Sequence, residues 1–387
     1  MKTGIYGGTF NPPHIGHVKA ADAAIAALGL DRLLVLPTGE PPHKDMPQGS
    51  PTPDQRLEMT RLAFDGLDRA EVCDLELRRE GPSYTCDTVR ALRERYPEDE
   101  LFLIMGTDMF STLDHWYNAG YILEEVCPAV LAREEDDMPE ILAKAEHFRR
   151  ELSEETVVIR TSVIEVSSTA VRQAVRERGG RELVPSAVYA YIIKNRLYGA
   201  RPDFDWLRTQ TYTWLKPKRM AHVAGCEAEA VNLARRWGED PDDAREAAIL
   251  HDITKKYELE DQLILCGKYG IITDNVEKRE YKLLHSKTGA AVAGSEFGVS
   301  ERVQNAIMWH TTGKADMSML EKIIYLADYI EPNRDFDGLT ELRRLAYEDI
   351  DAALMLGLEM SVEDMVQRGI RPHARTQEAI DYLRRDR

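Results

Sequence analysis

Short apolar runs alternate with helical stretches as far as Tyr198, and beyond about Phe204 the alternation stops. No other feature constrains the fold as strongly. Candidate strands lie at Thr3–Tyr6, Arg32–Leu36, Glu71–Asp74, Leu101–Met105, Ala129–Ala132 and Thr156–Ile159. Between and after them come candidate helices at His17–Leu28, Asp54–Phe64, Thr85–Arg95, Thr169–Arg178 and Pro185–Asn195. Strands separated by helices imply a parallel sheet covered on both faces, with ligands at the carboxyl ends of the strands. The segment Tyr198-Gly199-Ala200-Arg201-Pro202 breaks the pattern. After it only helical segments follow, at about Thr211–Trp237, Asp242–Thr254, Lys282–Phe297, Ser300–Trp309, Leu320–Ile330 and Leu339–Leu358. The expectation is an α/β parallel-sheet domain over residues 1–200 and an all-α domain over 204–387. A chain of 387 residues is long enough for both.

A formal net charge of −17 argues against nonspecific attraction to nucleic acid or to anionic membranes. Phosphorylated ligands need only local positive groups, for which His14, His17, Lys44 and Arg172 are candidates. The five cysteines are odd in number, widely spaced and free of any Cys-x-x-Cys pattern, which fits reduced thiols. With no signal pattern and no apolar run of spanning length, a cytoplasmic protein is expected, with homo-oligomer formation left open.

The run Gly4-Ile5-Tyr6-Gly7-Gly8-Thr9-Phe10-Asn11-Pro12-Pro13-His14-Ile15-Gly16-His17 reads as strand, glycine turn, loop and helix start. Gly7 and Gly8 let backbone amides approach an anion, the helix N-terminus adds partial positive charge, and each histidine offers a ring N–H. A glycine pair alone would be an ordinary strand-to-helix turn. Here prolines and a His-x-Gly-His pattern join it. Ser167-Ser168-Thr169-Ala170-Val171-Arg172 follows Val163, Ile164 and Val166 and opens another helix. Its hydroxyls are caps by themselves, but Arg172 lies one turn inward on the same side. Four further places follow strands or open helices. The loop Leu36–Lys44 is stiffened by prolines and ends in a cation. Tyr84 and Thr85 open a helix. Asp108 follows Gly106, suited to a ribose, a magnesium-bound water or a helix cap. Trp116 and Tyr117 offer flat rings to a base or to the core.

The first run resembles the nucleotidyltransferase signature, and in this wording the nicotinate-nucleotide adenylyltransferase family. The resemblance covers about Met1 to Gly199 and implies a Rossmann-like sheet. It implies ATP contacts from Gly7, Gly8, Thr9, Phe10, His14, His17, Ser167, Ser168, Thr169 and Arg172. Nicotinate mononucleotide would meet Lys44, Tyr84, Thr85, Asp108, Trp116 and Tyr117, with Trp116 as the stacking ring. The implied reaction is attack of the mononucleotide phosphate on the α-phosphorus of ATP. His17 and Arg172 neutralise the leaving pyrophosphate, His14 holds the phosphates, and Mg²⁺ assists. Another acceptor, such as phosphopantetheine or a choline-type phosphate, fits the loop, the Ser-Tyr-Thr run and Trp116 less well. One departure is the acidic run after Arg133, Glu134-Glu135-Asp136-Asp137, where relatives often carry Arg-Pro-Gly.

In the helical half, His222, His251-Asp252, His285, His310 and Asp328 each lie in or beside an apolar helical segment. Imidazole and carboxylate groups converging in a helical core make a hard-to-borderline metal site, and Asp252 suits bridging two ions. A single such histidine is more often a satisfied core residue; six ligands in this order are harder to explain that way. The pattern resembles the HD phosphohydrolase superfamily. The words around it, such as His251-Asp252-Ile253-Thr254-Lys255 and Ala327-Asp328-Tyr329-Ile330-Glu331-Pro332-Asn333-Arg334, resemble the HD-type symmetrical bis(nucleosyl)-tetraphosphatase family. That resemblance implies two transition metal ions, described in the family as iron. One is held by His222, His251, Asp252 and Asp328, the other by Asp252, His285 and His310. Ligand types alone also allow manganese, cobalt or zinc. Diadenosine tetraphosphate is the implied substrate, split into two ADP by metal-activated water. Thr254, Lys255, Asn333 and Arg334 are candidate polyphosphate contacts, with a surface ion pair an equal reading for Arg334. A domain that senses a nucleotide without hydrolysing it is the rival reading.

Overall fold

The computed structural model describes residues 1–41, 46–132, 138–152, 155–160 and 166–385. Lys44, Arg133, the acidic run after it, Val163 and Ile164 lie outside the described residues. The chain folds as two compact units, Met1–Ile192 with Arg196–Ala200, and Ile193–Asn195 with Arg201–Arg387.

In the first unit the near-continuous apolar runs become central strands buried on both faces, as a parallel sheet requires. The strands are β1 (Lys2–Gly8), β2 (Arg32–Pro37), β3 (Ala70–Val72), β4 (Glu100–Gly106), β5 (Cys127–Ala132) and β6 (Val157–Arg160). They pair in the order β3-β2-β1-β4-β5-β6, and every pairing is parallel. All six expected strands are present. The order reverses between β1 and β4, whose register sets Tyr6 beside Ile104. Their carboxyl ends therefore open the crevice in which ligands bind in such sheets.

The helices of this unit are α1 (Ile15–Leu28), α2 (Pro53–Phe64), α3 (Thr85–Arg95), α4 (Thr107–Ser111), α5 (Ala119–Glu125), α6 (Met138–Leu152), α7 (Ser168–Arg176) and α8 (Ser186–Lys194). The sequence reading lacks three of them. The α4 and α5 helices are shorter than two turns and leave almost no periodicity to read. The charges of α6 obscure its apolar stripe, of which Ile141 and Phe148 reach the core.

The second unit comprises α9 (Phe204–Trp214), α10 (Pro217–Trp237), α11 (Pro241–Leu250), α12 (Leu259–Lys268), α13 (Asn275–Arg279), α14 (Leu284–Phe297), α15 (Glu301–Trp309), α16 (Met319–Ile330), α17 (Leu339–Glu348), α18 (Ile350–Gln367) and α19 (Ala374–Arg385). Two expected helices are each split. Pro217 starts α10 at its first turn, where its missing N–H costs nothing, and so ends the preceding helix at Trp214. Asp349 adopts extended backbone and caps α18 by accepting from the Ala352 amide at 2.9 Å, which separates α17 from α18. The α12, α13 and α19 helices are additions to the sequence reading. No described helix is long and apolar enough to cross a membrane.

Glu76 shows what burial does to a charge in this fold. It is 7% exposed, and its carboxyl accepts from Thr88 Oγ1 at 2.9 Å. Burial pushes its pKa up to about 7, against the opposing pull of that hydrogen bond and of Arg79. The unfolded chain titrates it near 4.3, so between these values the folded state binds more protons and stability falls as pH rises. Chemical denaturation between pH 5 and pH 8 should show this loss, up to about 3 kcal/mol from the one group. Glu76→Gln should flatten that component; an unchanged profile would assign the pH dependence elsewhere.

Candidate functional site

At the end of β1 the backbone leaves the sheet through Gly7 and Gly8, and His14 forms the N-cap of α1. The His14 backbone N–H donates to His17 Nδ1 at 3.1 Å, so the neutral ring carries its proton on Nε2 and presents a donor there. The two imidazoles stack, with ring centroids 3.6 Å apart. Phe10 is packed edge-on against Tyr6, His17 and Phe64 and is 1% exposed. Of Phe10, only the backbone is available to a nucleotide.

The start of α7 meets this loop. Arg172 Nη1 donates to the Asn11 carbonyl at 2.8 Å, and Ser168 Oγ donates to the Pro12 carbonyl at 2.9 Å. The other two hydroxyls are engaged locally. Ser167 caps α7 by accepting from the Ala170 amide, and Thr169 Oγ1 accepts from Arg172 Nη2 at 2.9 Å. The structure thus joins two sequence motifs more than 150 residues apart at one strand end. Two supports escaped the sequence reading. Tyr198 donates its hydroxyl to Asn11 Oδ1 at 2.8 Å from a buried position. Arg56, 2% exposed, donates to the carbonyls of Thr9, Thr38 and Gly39 at 2.9, 2.7 and 3.1 Å, tying the loop after β1 to the loop after β2. Only its place in the first turn of a capped helix hinted that it faces inward.

Tyr84 is the N-cap of α3 and Thr85 its first residue, with no side-chain cap on the helix start. The Tyr117 ring lies 4.9 Å from that of Tyr84 and is 63% exposed. Trp116 is half-buried against the sheet core, its Nε1 donating to Thr112 Oγ1 at 3.3 Å. Asp108 is exposed in the first turn of α4, just past β4.

In the helical unit the predicted ligands come from five elements to one buried point. His222 lies in α10, His251 is the C-cap of α11 with Asp252 next to it, His285 is in α14, His310 caps α15, and Asp328 is in α16. His251, Asp252, His285 and His310 are each at most 2% exposed. Every Nδ1 is engaged away from the centre. His251 and His310 donate to the carbonyls of Ala248 and Ile307 at 2.7 and 2.6 Å, His285 to that of Lys282, and His222 to Glu331 Oε1 at 3.1 Å. The Nε2 atoms therefore converge. Those of His222 and His251 are 3.3 Å apart, those of His285 and His310 3.1 Å, and His222 Nε2 lies 3.0 Å from Asp328 Oδ1.

Asp252 Oδ1 makes no hydrogen bond despite complete burial; it lies 3.1 Å from His285 Nε2 and 3.8 Å from His310 Nε2. Burial drives the imidazoles of His251 and His285 well below their ordinary pKa and that of His310 down to about 4, so all three are neutral and ligand-competent at pH 7. Burial opposes the charge of Asp328, yet the surrounding groups, Lys255 among them, hold its carboxyl well below the usual range. Neutral imidazoles locked by their outer nitrogens, around carboxylate oxygens with unused capacity, fit divalent metal ions. Two groups of ligand atoms lie close enough to share an ion, His222 with Cys226, His251 and Asp328, and His251 with Asp252 and His310.

The cations sit against the same carboxylates. Arg219 contacts Asp252, Lys255 Nζ is 3.0 Å from His285 Nε2 and 3.3 Å from Asp252 Oδ1, and Arg334 Nη2 donates to Asp328 Oδ1 at 2.6 Å. Arg334 is thus an ion-pair partner of a candidate ligand. Asn333 donates to Glu331 Oε2 at 2.9 Å and so supports the carboxylate behind His222. Thr254 differs from its expected role. It is fully buried, donating to the His285 carbonyl at 2.9 Å, where no polyphosphate reaches it. Glu331 and Cys226 were missed as site residues. Each stands three or four positions from a ligand on the same helical face, which is the signal that could have found them.

Comparison with known proteins divides the chain in the same way. A cytidylyltransferase-like family model matches residues 5–174, and an HD domain model matches residues 219–333. A probable nicotinate-nucleotide adenylyltransferase of Gemmatimonas aurantiaca is 38% identical over 52% of this chain and 94% of its own. One from Geobacillus kaustophilus is 38% identical over 52% of this chain and 87% of its own. Among solved structures, a predicted HD superfamily hydrolase involved in NAD metabolism from Clostridium acetobutylicum is 37% identical, covering 49% of this chain and all of that one, at a TM-score of 0.47.

Gly225, within α10, makes room for the carboxylate behind His222, since a Cβ there would collide with Glu331 Oε2. In an ordinary helix Gly→Ala stabilises by about 0.5–1 kcal/mol. Here Gly225→Ala should displace Glu331 and weaken metal retention roughly 10- to 100-fold, as loss of outer-shell partners does. Metal content after dialysis against a chelator series checks this, and unchanged retention would remove Glu331 from the site.

Proposed function

The chain belongs, over about its first half, to the nicotinate-nucleotide adenylyltransferase family, and from that membership we propose that this unit transfers the adenylyl group of ATP to nicotinate mononucleotide. The observation that carries the reading is that Arg172 donates to the Asn11 carbonyl of the same loop after β1 that leads to the stacked His14 and His17. A mononucleotide phosphate oxygen attacks the α-phosphorus, the bond to the bridging oxygen breaks, and pyrophosphate leaves. His17 Nε2–H and the Arg172 guanidinium stabilise charge growing on that leaving group, while His14 and the amides of Gly8 and Thr9 hold the phosphates. Mg²⁺ enters with ATP. Tyr84, Thr85 and Tyr117 receive the nicotinate end, with Trp116 behind them and Asp108 on the ribose side. Nothing in this arrangement is asked to act as a nucleophile; position and charge suffice.

The second half carries an HD domain, and its proposed activity is hydrolysis of diadenosine tetraphosphate to two ADP. Support comes from the converging Nε2 atoms around Asp252 and from three cations, Arg219, Lys255 and Arg334, on the same carboxylates. Two ions, iron in this proposal, supply Lewis-acid polarisation of a phosphoryl group and water acidified at neutral pH when bound. His222, His251 and Asp328 hold one, His285 and His310 the other, and Asp252 faces both. Lys255 and Arg334, released from carboxylate oxygens, are placed to take polyphosphate oxygens. The free thiols fit action in the cytoplasm.

Incubation of the purified protein with ATP plus nicotinate mononucleotide, and separately with diadenosine tetraphosphate, tests both halves. Arg172→Ala should lower deamido-NAD formation by about 100-fold or more while leaving ADP release intact. The double variant His251→Ala/Asp252→Ala should do the reverse. No ADP from metal-loaded parent would sink the tetraphosphatase assignment and leave a nucleotide sensor or a hydrolase for another nucleotide.

A further inference from the structure

We propose that Arg56 is a positioning residue for adenylyl transfer, its guanidinium setting the separation between the loop that holds ATP and the loop that holds the acceptor. The inference rests on the adenylyl-transfer reading above and concerns a side chain to which that reading gives no part. The sheet itself carries the two loops together as far as the Thr38 amide, which donates to the Gly8 carbonyl at 2.9 Å. Past that point Arg56 continues the link. Its Nη1 donates at 2.9 Å to the carbonyl of Thr9, the residue whose amide the reading gives to the phosphates. The same nitrogen donates to the Thr38 carbonyl at 2.7 Å, and Nη2 donates to that of Gly39 at 3.1 Å. A planar group with fixed donor directions holds three acceptors in one geometry, which a flexible ammonium does not.

The link runs on into the acceptor side. Gly39 donates its N–H to Ser83 Oγ at 3.2 Å, and the Ser83 N–H donates to the Glu40 carbonyl at 2.8 Å. Ser83 directly precedes Tyr84 and Thr85, the start of α3. A Cβ on Gly39 would stand 3.0 Å from both Ser83 Oγ and the Glu76 carbonyl oxygen, so the loop is closely seated there. The other end is fixed as well. Arg56 stands in the first turn of α2, where Thr52 and Gln55 cap one another's amides at 3.2 and 3.0 Å. The side chain is buried, and its Nε has no hydrogen-bond partner among the described residues. Burying a guanidinium is costly. Filling space does not call for one; bridging the carbonyls of two loops does. Transfer between two bound substrates is sensitive to such spacing, since a misplacement of about 1 Å costs about 100-fold in rate.

The test compares the full-length parent with Arg56→Lys, which keeps the charge, and Arg56→Met, which keeps only the bulk. Deamido-NAD formation gives kcat, and calorimetry gives the affinity for α,β-methylene ATP and for nicotinate mononucleotide, each added alone. Both variants should lose about 10- to 100-fold in kcat while each separate affinity stays close to that of the parent. A kcat retained in Arg56→Lys, or a loss that follows one ligand's affinity, overturns the proposal and leaves the adenylyl-transfer reading standing. No deamido-NAD from the parent overturns both. Should the variants misfold, nitrogen NMR of the parent's arginine side chains decides. The Arg56 signals must shift when either ligand is added alone, because both loops touch the one group. A response to a single ligand, or to neither, overturns the proposal.

Discussion

A helix leaves its last carbonyls unpaired, and in the helical unit such carbonyls hold the imidazoles. His251 and His310 follow directly on α11 and α15 and turn Nδ1 back onto the carbonyls of Ala248 and Ile307. His285, in the first turn of α14, instead turns Nδ1 onto the carbonyl of Lys282 just before that helix. Each bond fixes the tautomer and leaves Nε2 as the nitrogen that faces the centre. Burial then keeps the rings neutral. A fully buried Asp252 beside them would be ruinous in an apolar core; here the surrounding groups compensate its charge.

The α/β unit uses the opposite helix end. His14 and Ser167 are N-caps of α1 and α7, and Tyr84 occupies the same place on α3. Their helices present unpaired amides and partial positive charge where the sheet order reverses. The loop between β1 and α1 keeps its shape because every neighbour grips its backbone: Arg56 at Thr9, Arg172 at Asn11, Ser168 at Pro12. Tyr198 closes the set through the Asn11 side chain, so the last turn of the unit secures its first loop.

The two units thus arrange charge by different physics. One sets fixed donors and cations around a loop at the end of a strand. The other buries carboxylates and neutral imidazoles, a set that is stable around divalent ions, with cations kept at the same oxygens.

The alternation of apolar runs and helices was enough to read the six strands, the class of each half and the break near Tyr198, because burial on both faces demands continuous apolar sequence. The residues that converge in the helical core and at the start of α1 and α7 were also legible, since glycine turns, helix caps and clusters of imidazole and carboxylate require particular side chains. What the sequence left undetermined were features with little period to read, the short α4 and α5 and the charged α6, and the splits at Pro217 and Asp349, whose start and cap signals lie inside longer helical patterns. Tertiary structure alone decided that Thr254 is a buried hydroxyl rather than a phosphate contact, that Phe10 lends only its backbone, and that Arg56 and Glu331 hold their sites together. Such residues act through neighbours distant in the chain. Only packing brings those neighbours within hydrogen-bonding distance.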